Sequence, residues 1–299
     1  MERLVLHIGH PKTGTTSLQS TFRDSASVLA RHGVYYFAGY RNNHPIGRSM
    51  HAKTRNATDE AIAAQFLKEA KATRCPQGLV SSENFTKLKG DEPKACLEKL
   101  RTVADRVDVL IYVRHPIGYC NGSAHQSVRS GRPLAEVSQN PRVLNLTSLL
   151  QRWEEAAGED HMIVRAFHRP SLVNGDVVDD VLSILGAEAA APHLTRATIN
   201  DGLSALGIQL LDRAHGQCNE GEALRLGAVR AFDAIGGPRY VLPPEARAKV
   251  LADSAPHLAY LKDKYGIEFP EPPDPGLAPA LPPEETLDSM AGVISQLVQ

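Results

Sequence analysis

The segment Val107-Asp108-Val109-Leu110-Ile111-Tyr112-Val113 constrains the fold more than any other stretch of the chain. It is a nearly continuous run of apolar β-formers, the composition expected of a strand covered on both faces. Shorter apolar runs recur at Leu4 to Ile8, Val34 to Phe37, Leu79 to Ser81 and Met162 to Ala166, with polar or helix-forming stretches between them. That alternation predicts an α/β protein of three layers, with a central parallel sheet and helices on both faces. Val107 to Val113 is expected at its centre. Beyond Ala166 the pattern turns helical, with helices expected near Asp176 to Leu185, Leu203 to Ala214, Glu222 to Ile235 and Pro244 to Tyr265, flanking the sheet in the same domain.

Bulk properties narrow the class. With 299 residues, 42% of them hydrophobic, the chain can bury a sizeable core without staples. A formal net charge of -1 exerts no global pull on nucleic acid or acidic membranes, so an anion site must be built locally. Cys75, Cys96, Cys120 and Cys218 lack the close spacing of zinc or redox pairs, which fits a reduced, cytoplasmic setting. The N-terminal apolar run passes at once into His, Pro and Lys and is read as a buried strand, not a signal. No stretch approaches the roughly 18 uninterrupted apolar residues that a membrane span needs. Residues 1–270 are expected to form the α/β domain, 271–283 a Pro-rich extended linker, and 284–299 an amphipathic helix. Leu287, Met290, Val293, Ile294 and Leu297 share one face of that helix, which would dock on its own chain or, alternatively, on a partner such as a second copy.

Between the first strand and the first helix stands Gly9-His10-Pro11-Lys12-Thr13-Gly14-Thr15-Thr16, with the glycine spacing of a phosphate-binding loop. Glycines let the backbone approach an anion, and a helix start offers unpaired N–H groups and the positive end of its dipole. Thr15 occupies the position where nucleotide triphosphatases carry Lys, and the loop's own Lys lies earlier, at Lys12. The loop is thus suited to a phosphate-like group without an obligatory metal. Pro11 to Thr16 match the P-K-[ST]-G-T-T loop of sulfotransferases that use 3'-phosphoadenosine 5'-phosphosulfate (PAPS), and the chain resembles that family. The resemblance implies that Lys12, Thr13, Gly14, Thr15, Thr16 and Ser17 bind PAPS, with the N–H groups of Gly14 and Thr15 and the hydroxyls of Thr15 and Thr16 on the 5'-phosphate and Lys12 stabilising the bridging oxygen.

Arg114 directly follows the central run and is followed by His115-Pro116 and a helical stretch. A guanidinium at a strand end can form paired hydrogen bonds to phosphate. This is similar to the family's second motif, in which an Arg and a Ser eight residues later bind the 3'-phosphate. Here Gly122 stands at that spacing, so Ser123 is carried over in its place, with Ser127 as the alternative. Glu83 ends the run Gly78-Leu79-Val80-Ser81-Ser82 and resembles the acceptor base of heparan-type and related bacterial sulfotransferases. His10 and His115 flank the anchors and are alternative bases. Residues 40–56 are polar and too irregular to predict a helix; His44, Arg48, His51 and Lys53 would favour an anionic or sugar-like acceptor, with a solvated surface loop as the alternative.

The resemblance implies sulfuryl transfer from PAPS, with no metal required, to a hydroxyl or amine of a carbohydrate or small molecule. A P-loop small-molecule kinase predicts Lys at position 15, where the chain has Thr. A catalytically silent nucleotide-binding scaffold, docking partners through its terminal helix, is the alternative from another class.

Overall fold

The computed structural model describes residues 1–40, 42–197, 202–217, 224, 226–271 and 282–297. Strands β1 (Arg3–His7), β2 (Val34–Tyr36), β3 (Gln77–Ser81), β4 (Arg106–Val113) and β5 (Met162–Ala166) form one sheet in the order β2-β3-β1-β4-β5, with every pair parallel. The side-chain period of two divides each strand between the faces. Leu4 and Leu6 of β1, with Val107, Val109, Ile111 and Val113 of β4, join one buried cluster; Val5, Leu110 and Tyr112 join the other. The first cluster is closed by Leu97 and Leu100 of helix Glu92–Leu100 and by Trp153 of helix Leu146–Ala157. The second is closed by Leu18 and Phe22 of helix Thr15–Asp24 and by Val178, Val181 and Leu182 of helix Val177–Ile184. The fold is α/β in three layers, and each large apolar side chain fully buried in it contributes about 1.5–3 kcal/mol relative to exposure.

The middle place expected of Val107 to Val113 belongs to β1, with β4 beside it, and Asp108 is the one charge inside that apolar run. Its buried carboxylate accepts from Arg3 Nε at 2.6 Å and Arg106 Nε at 2.8 Å, and lies 2.9 Å from His161 Nδ1. A buried charge persists only when so partnered. These contacts sit near the amino-terminal edge of the sheet and leave the carboxyl edge to other residues.

The chain leaves β1 for β2 and β3 on one side, then returns to β4 and β5 on the other. Direction therefore reverses between β1 and β4, and beyond the carboxyl ends of such neighbours the loops diverge to leave a crevice.

By contact the chain divides into two compact units. The first comprises Met1–Arg114, Asn145–Ile199 and Ala259–Phe269 and contains the whole sheet; the second comprises His115–Leu144, Asn200–Leu258 and Pro270–Gln299. The second unit is helical. Its helix Glu284–Leu297 lies against helix Ala205–Gly216, burying Leu287 and Ala291 in the unit's own core while Arg213 pairs with Glu284 at 2.7 Å and Asp288 at 3.1 Å. Of the Pro-rich segment, residues 272–281 lie outside the described residues, as does Cys218. Among the described residues no helix is long and apolar enough to cross a membrane.

Candidate functional site

At the carboxyl end of β1, Ile8 N donates to Leu110 O of β4 at 2.9 Å, and the chain then turns through Gly9 to Gly14 before entering helix Thr15–Asp24. Three residues of this loop take left-handed backbone conformations: Gly9 (φ 56°), Lys12 (φ 68°) and Gly14 (φ 73°). A Cβ at Gly9 would stand 3.0 Å from Glu83 N, so glycine is needed for both conformation and approach. Lys12 has a Cβ, and such strain, on the order of 1–3 kcal/mol, persists only where the surroundings impose it. Here Arg114 Nη1 donates to Lys12 O at 2.8 Å, and Thr13 Oγ1 closes the preceding turn by donating to His10 O at 2.6 Å. Backbone reversals of this kind make concavities lined by N–H groups that suit an anion. The helix that follows has no side-chain cap and no acidic residue in its first turn. The helical ladder leaves the N–H groups of Thr15, Thr16 and Ser17 unclaimed, beside the positive end of the dipole.

Glu83 comes from β3, the other neighbour of β1. Ser82 N donates to His7 O at 3.1 Å, and Ser82 caps a short 3₁₀ turn, Glu83–Lys87, by accepting Asn84 N. Thr15 Oγ1 donates to Glu83 Oε1 at 2.5 Å, which ties the carboxylate to the first residue of the loop helix. The hydroxyls of Thr13 and Thr15 both donate within the protein, so the Thr15 hydroxyl, expected on the 5'-phosphate, instead serves Glu83, and an anion in this loop would meet the backbone N–H groups. Thr16 is exposed, and Lys12 and Ser17 are half-buried.

Arg114 follows β4 directly. Besides holding Lys12, its guanidinium lies over the Phe167 ring, 5.8 Å from the centroid, and burial lowers its pKa. Phe167 N in turn donates to Val113 O at 2.7 Å, which places the ring beside the strand end. The first unit thus brings together Lys12, Thr13, Gly14, Thr15, Thr16, Ser17, Glu83 and Arg114 at the carboxyl ends of three adjacent strands. Ser123 and Ser127 belong to the second unit. They sit one turn apart on the same face of the uninterrupted helix Pro116–Arg129, and both are half-buried.

The two alternative bases differ from Glu83 in setting. His10 is buried, which pushes its pKa down to about 4 despite a hydrogen bond to the Pro11 backbone; the charge of Arg114 acts in the same downward direction. His115, in the second unit, caps helix Pro116–Arg129 by accepting Ile117 N at 3.2 Å, and burial, then Arg247, lowers its pKa.

Residues 40–56 depart from the irregular loop expected of them. Residues His44–Ser49 form a short helix that packs on the Glu83–Lys87 turn, and helix Ala57–Ala72 begins directly after the segment. Pro45 and Gly47 read as breakers, yet Pro belongs in a first helical turn, where its missing N–H would have no partner, and Gly47 is needed because a Cβ there would stand 2.8 Å from Ser82 Oγ. Asn43 locks the approach: its Oδ1 accepts Ser81 N at 3.1 Å and its Nδ2 donates to Phe37 O at 3.0 Å. Arg48 is bound by both carboxylate oxygens of Asp59. His44 Nδ1 lies 3.0 Å from Ser82 Oγ, beside Glu83. Among the described residues no group of three or more His, Cys, Asp or Glu is arranged to hold a metal ion.

No family model and no curated protein matches the chain. Among solved structures it is similar to a sulfotransferase from Alicyclobacillus acidocaldarius, at 14% identity and a TM-score of 0.48 over 89% of this chain and 96% of that one.

Proposed function

We propose that this protein is a sulfotransferase that binds PAPS at the loop Gly9 to Thr16 and transfers its sulfuryl group to a hydroxyl or amine of a carbohydrate or small-molecule acceptor. The observation that carries the reading is the junction of loop and base. The residue at the triphosphatase Lys position is Thr15, and its hydroxyl is hydrogen-bonded to Glu83 at 2.5 Å. That position holds no cation for a β- or γ-phosphate; it holds a carboxylate at the edge of an anion-ready loop.

In this reading the N–H groups of Gly14, Thr15 and Thr16 and the ammonium of Lys12 hold the 5'-phosphate side, and Arg114 holds the 3'-phosphate. Glu83 takes the acceptor's proton as the acceptor oxygen or nitrogen bonds to sulfur, and Lys12 stabilises the electron pair left on the bridging oxygen of the departing nucleotide. The sulfuryl group is what PAPS supplies, and the chain supplies placement and charge.

Calorimetry with 3'-phosphoadenosine 5'-phosphate (PAP), set against ATP with magnesium, tests the reading. PAP is expected to bind and to be preferred. Absence of PAP binding sinks it, and preference for ATP with magnesium favours the kinase. PAP binding without sulfuryl transfer to any acceptor leaves the silent nucleotide-binding scaffold.

A further inference from the structure

His44 is a histidine beside the candidate base to which the reaction above gives no part. Its neighbour Ser82 is fully buried, and the Ser82 hydroxyl has two partners: it accepts Asn84 N at 3.1 Å and lies 3.0 Å from His44 Nδ1. A buried hydroxyl keeps its proton hydrogen-bonded. Asn84 N is itself a donor, so among the described residues the acceptor within reach of the Ser82 proton is His44 Nδ1. That assigns the imidazole's own proton to Nε2. Burial lowers the pKa of His44, Glu83 raises it, and Arg48 and Lys87 lower it; these are the charged groups that face the ring, and the net direction keeps it neutral at pH 7.

Glu83 follows Ser82 in the chain and its charge acts on the His44 ring, and a carboxylate acceptor with an imidazole N–H donor in one neighbourhood recognises a particular chemistry. Glu83 would take the proton of the reacting hydroxyl. A donor aimed at that same oxygen would draw on its lone pairs and oppose attack, so the productive partner of the Nε2–H is a second oxygen. We propose that His44 is an acceptor-binding residue, fixed by Ser82 as the Nε2–H tautomer, and that it selects acceptors carrying an oxygen next to the reacting hydroxyl, as a polyol or sugar does. The inference rests on Glu83 as the base and narrows the acceptor class from any hydroxyl or amine to vicinal diols.

The tautomer is read without any ligand, from nitrogen spectra of the full chain with ¹⁵N-labelled histidine. An Nε2–H His44 is expected, becoming a mixture in Ser82→Ala, and an Nδ1–H His44 overturns the proposal. Acceptor choice is read by transfer from ³⁵S-labelled PAPS to trans-1,2-cyclohexanediol and to cyclohexanol, which differ by one oxygen. The diol is expected to be favoured by about ten-fold in kcat/KM, the value of one hydrogen bond at the upper end of its range. His44→Ala brings that ratio near unity, and His44→Gln, which keeps an N–H donor, restores part of it, with PAP affinity unchanged in both. A diol preference that survives His44→Ala, no preference in the parent chain, or no transfer to either alcohol by a chain that binds PAP overturns it. A chain that does not bind PAP brings down the donor reading itself, and this inference with it.

Discussion

Two helices of the first unit begin in opposite ways. Helix Ala57–Ala72 is capped by Asn56, whose side chain accepts Asp59 N at 3.0 Å, and it carries Asp59 and Glu60 in its first turn. Helix Thr15–Asp24 begins at left-handed Gly14 with neither a side-chain cap nor an acid. The first helix satisfies its orphan donors and its dipole from its own sequence, as a helix that only packs should. The second has neither in its own sequence, and the carboxylate at its start, Glu83, comes from the turn after β3 and meets the Thr15 hydroxyl. The difference is between a helix start that its own sequence completes and one that it leaves bare, which is the opening that the proposed nucleotide would use.

The largest effect is expected at the carboxylate joined to the bare helix. Glu83→Gln should lower turnover by about 10²–10⁴-fold, the usual contribution of a positioned base, with PAP affinity nearly intact by calorimetry. Full activity in that variant would move the base elsewhere, to His10 or His115. Lys12→Ala and Arg114→Ala come next, each weakening PAP binding by about 1.5–3 kcal/mol for loss of a charge-assisted hydrogen bond. Arg114→Ala should also lower thermal stability, because Lys12 loses the bond that holds its left-handed backbone.

A pH series examines the ground beneath the loop. Burial holds His7 at about 3 and His10 at about 4, below the ordinary 6.5. Between pH 6.5 and 4 the unfolded chain therefore binds more protons, and stability must fall as pH drops, by up to about 1.4 kcal/mol per pH unit for each histidine. Denaturant unfolding at successive pH values reads the slope, which should be shallower in His10→Gln; an identical slope would place the acid sensitivity elsewhere. The smallest effects come from exchanging the two helix starts. Thr16→Asp gives the bare helix an acid, with an expected gain of about 0.3–1 kcal/mol in stability and weaker PAP binding. Asn56→Ala removes a cap, with a loss of about 0.5–2 kcal/mol and unchanged PAP binding. If the two substitutions moved stability in the same direction, the contrast between the helices would not hold.

Much of the sheet was legible because its signal is local. Met162 to Ala166 was read with the observed bounds of β5, and the other four apolar runs lie within two residues of their strands at each end. The loop was legible for the same reason, since glycine spacing and Lys12 are consecutive in the chain. The helix His44–Ser49 was missed because its signals conflict at short range: Pro45 and Gly47 mark turns in isolation, yet Pro45 falls in the first helical turn and Gly47 fits against Ser82 and Asn84. His44 was visible as a residue but not as a neighbour of Glu83, thirty-nine positions later in the chain. Nor could spacing decide between Ser123 and Ser127, since one face of an unbroken helix carries both.

By itself the sequence determined the α/β class, the strand positions and the glycine-bearing turn from Gly9 to Gly14, because apolar period, glycine and proline act on the backbone within a few residues. The tertiary structure alone decided which side chains meet. The order β2-β3-β1-β4-β5 brings the ends of β3, β1 and β4 side by side, so that Arg114 reaches the carbonyl of Lys12 and Glu83 reaches the hydroxyl of Thr15. Such contacts depend on strand order and register, which are set by how the two faces of the sheet are covered and leave no pattern in the order of residues.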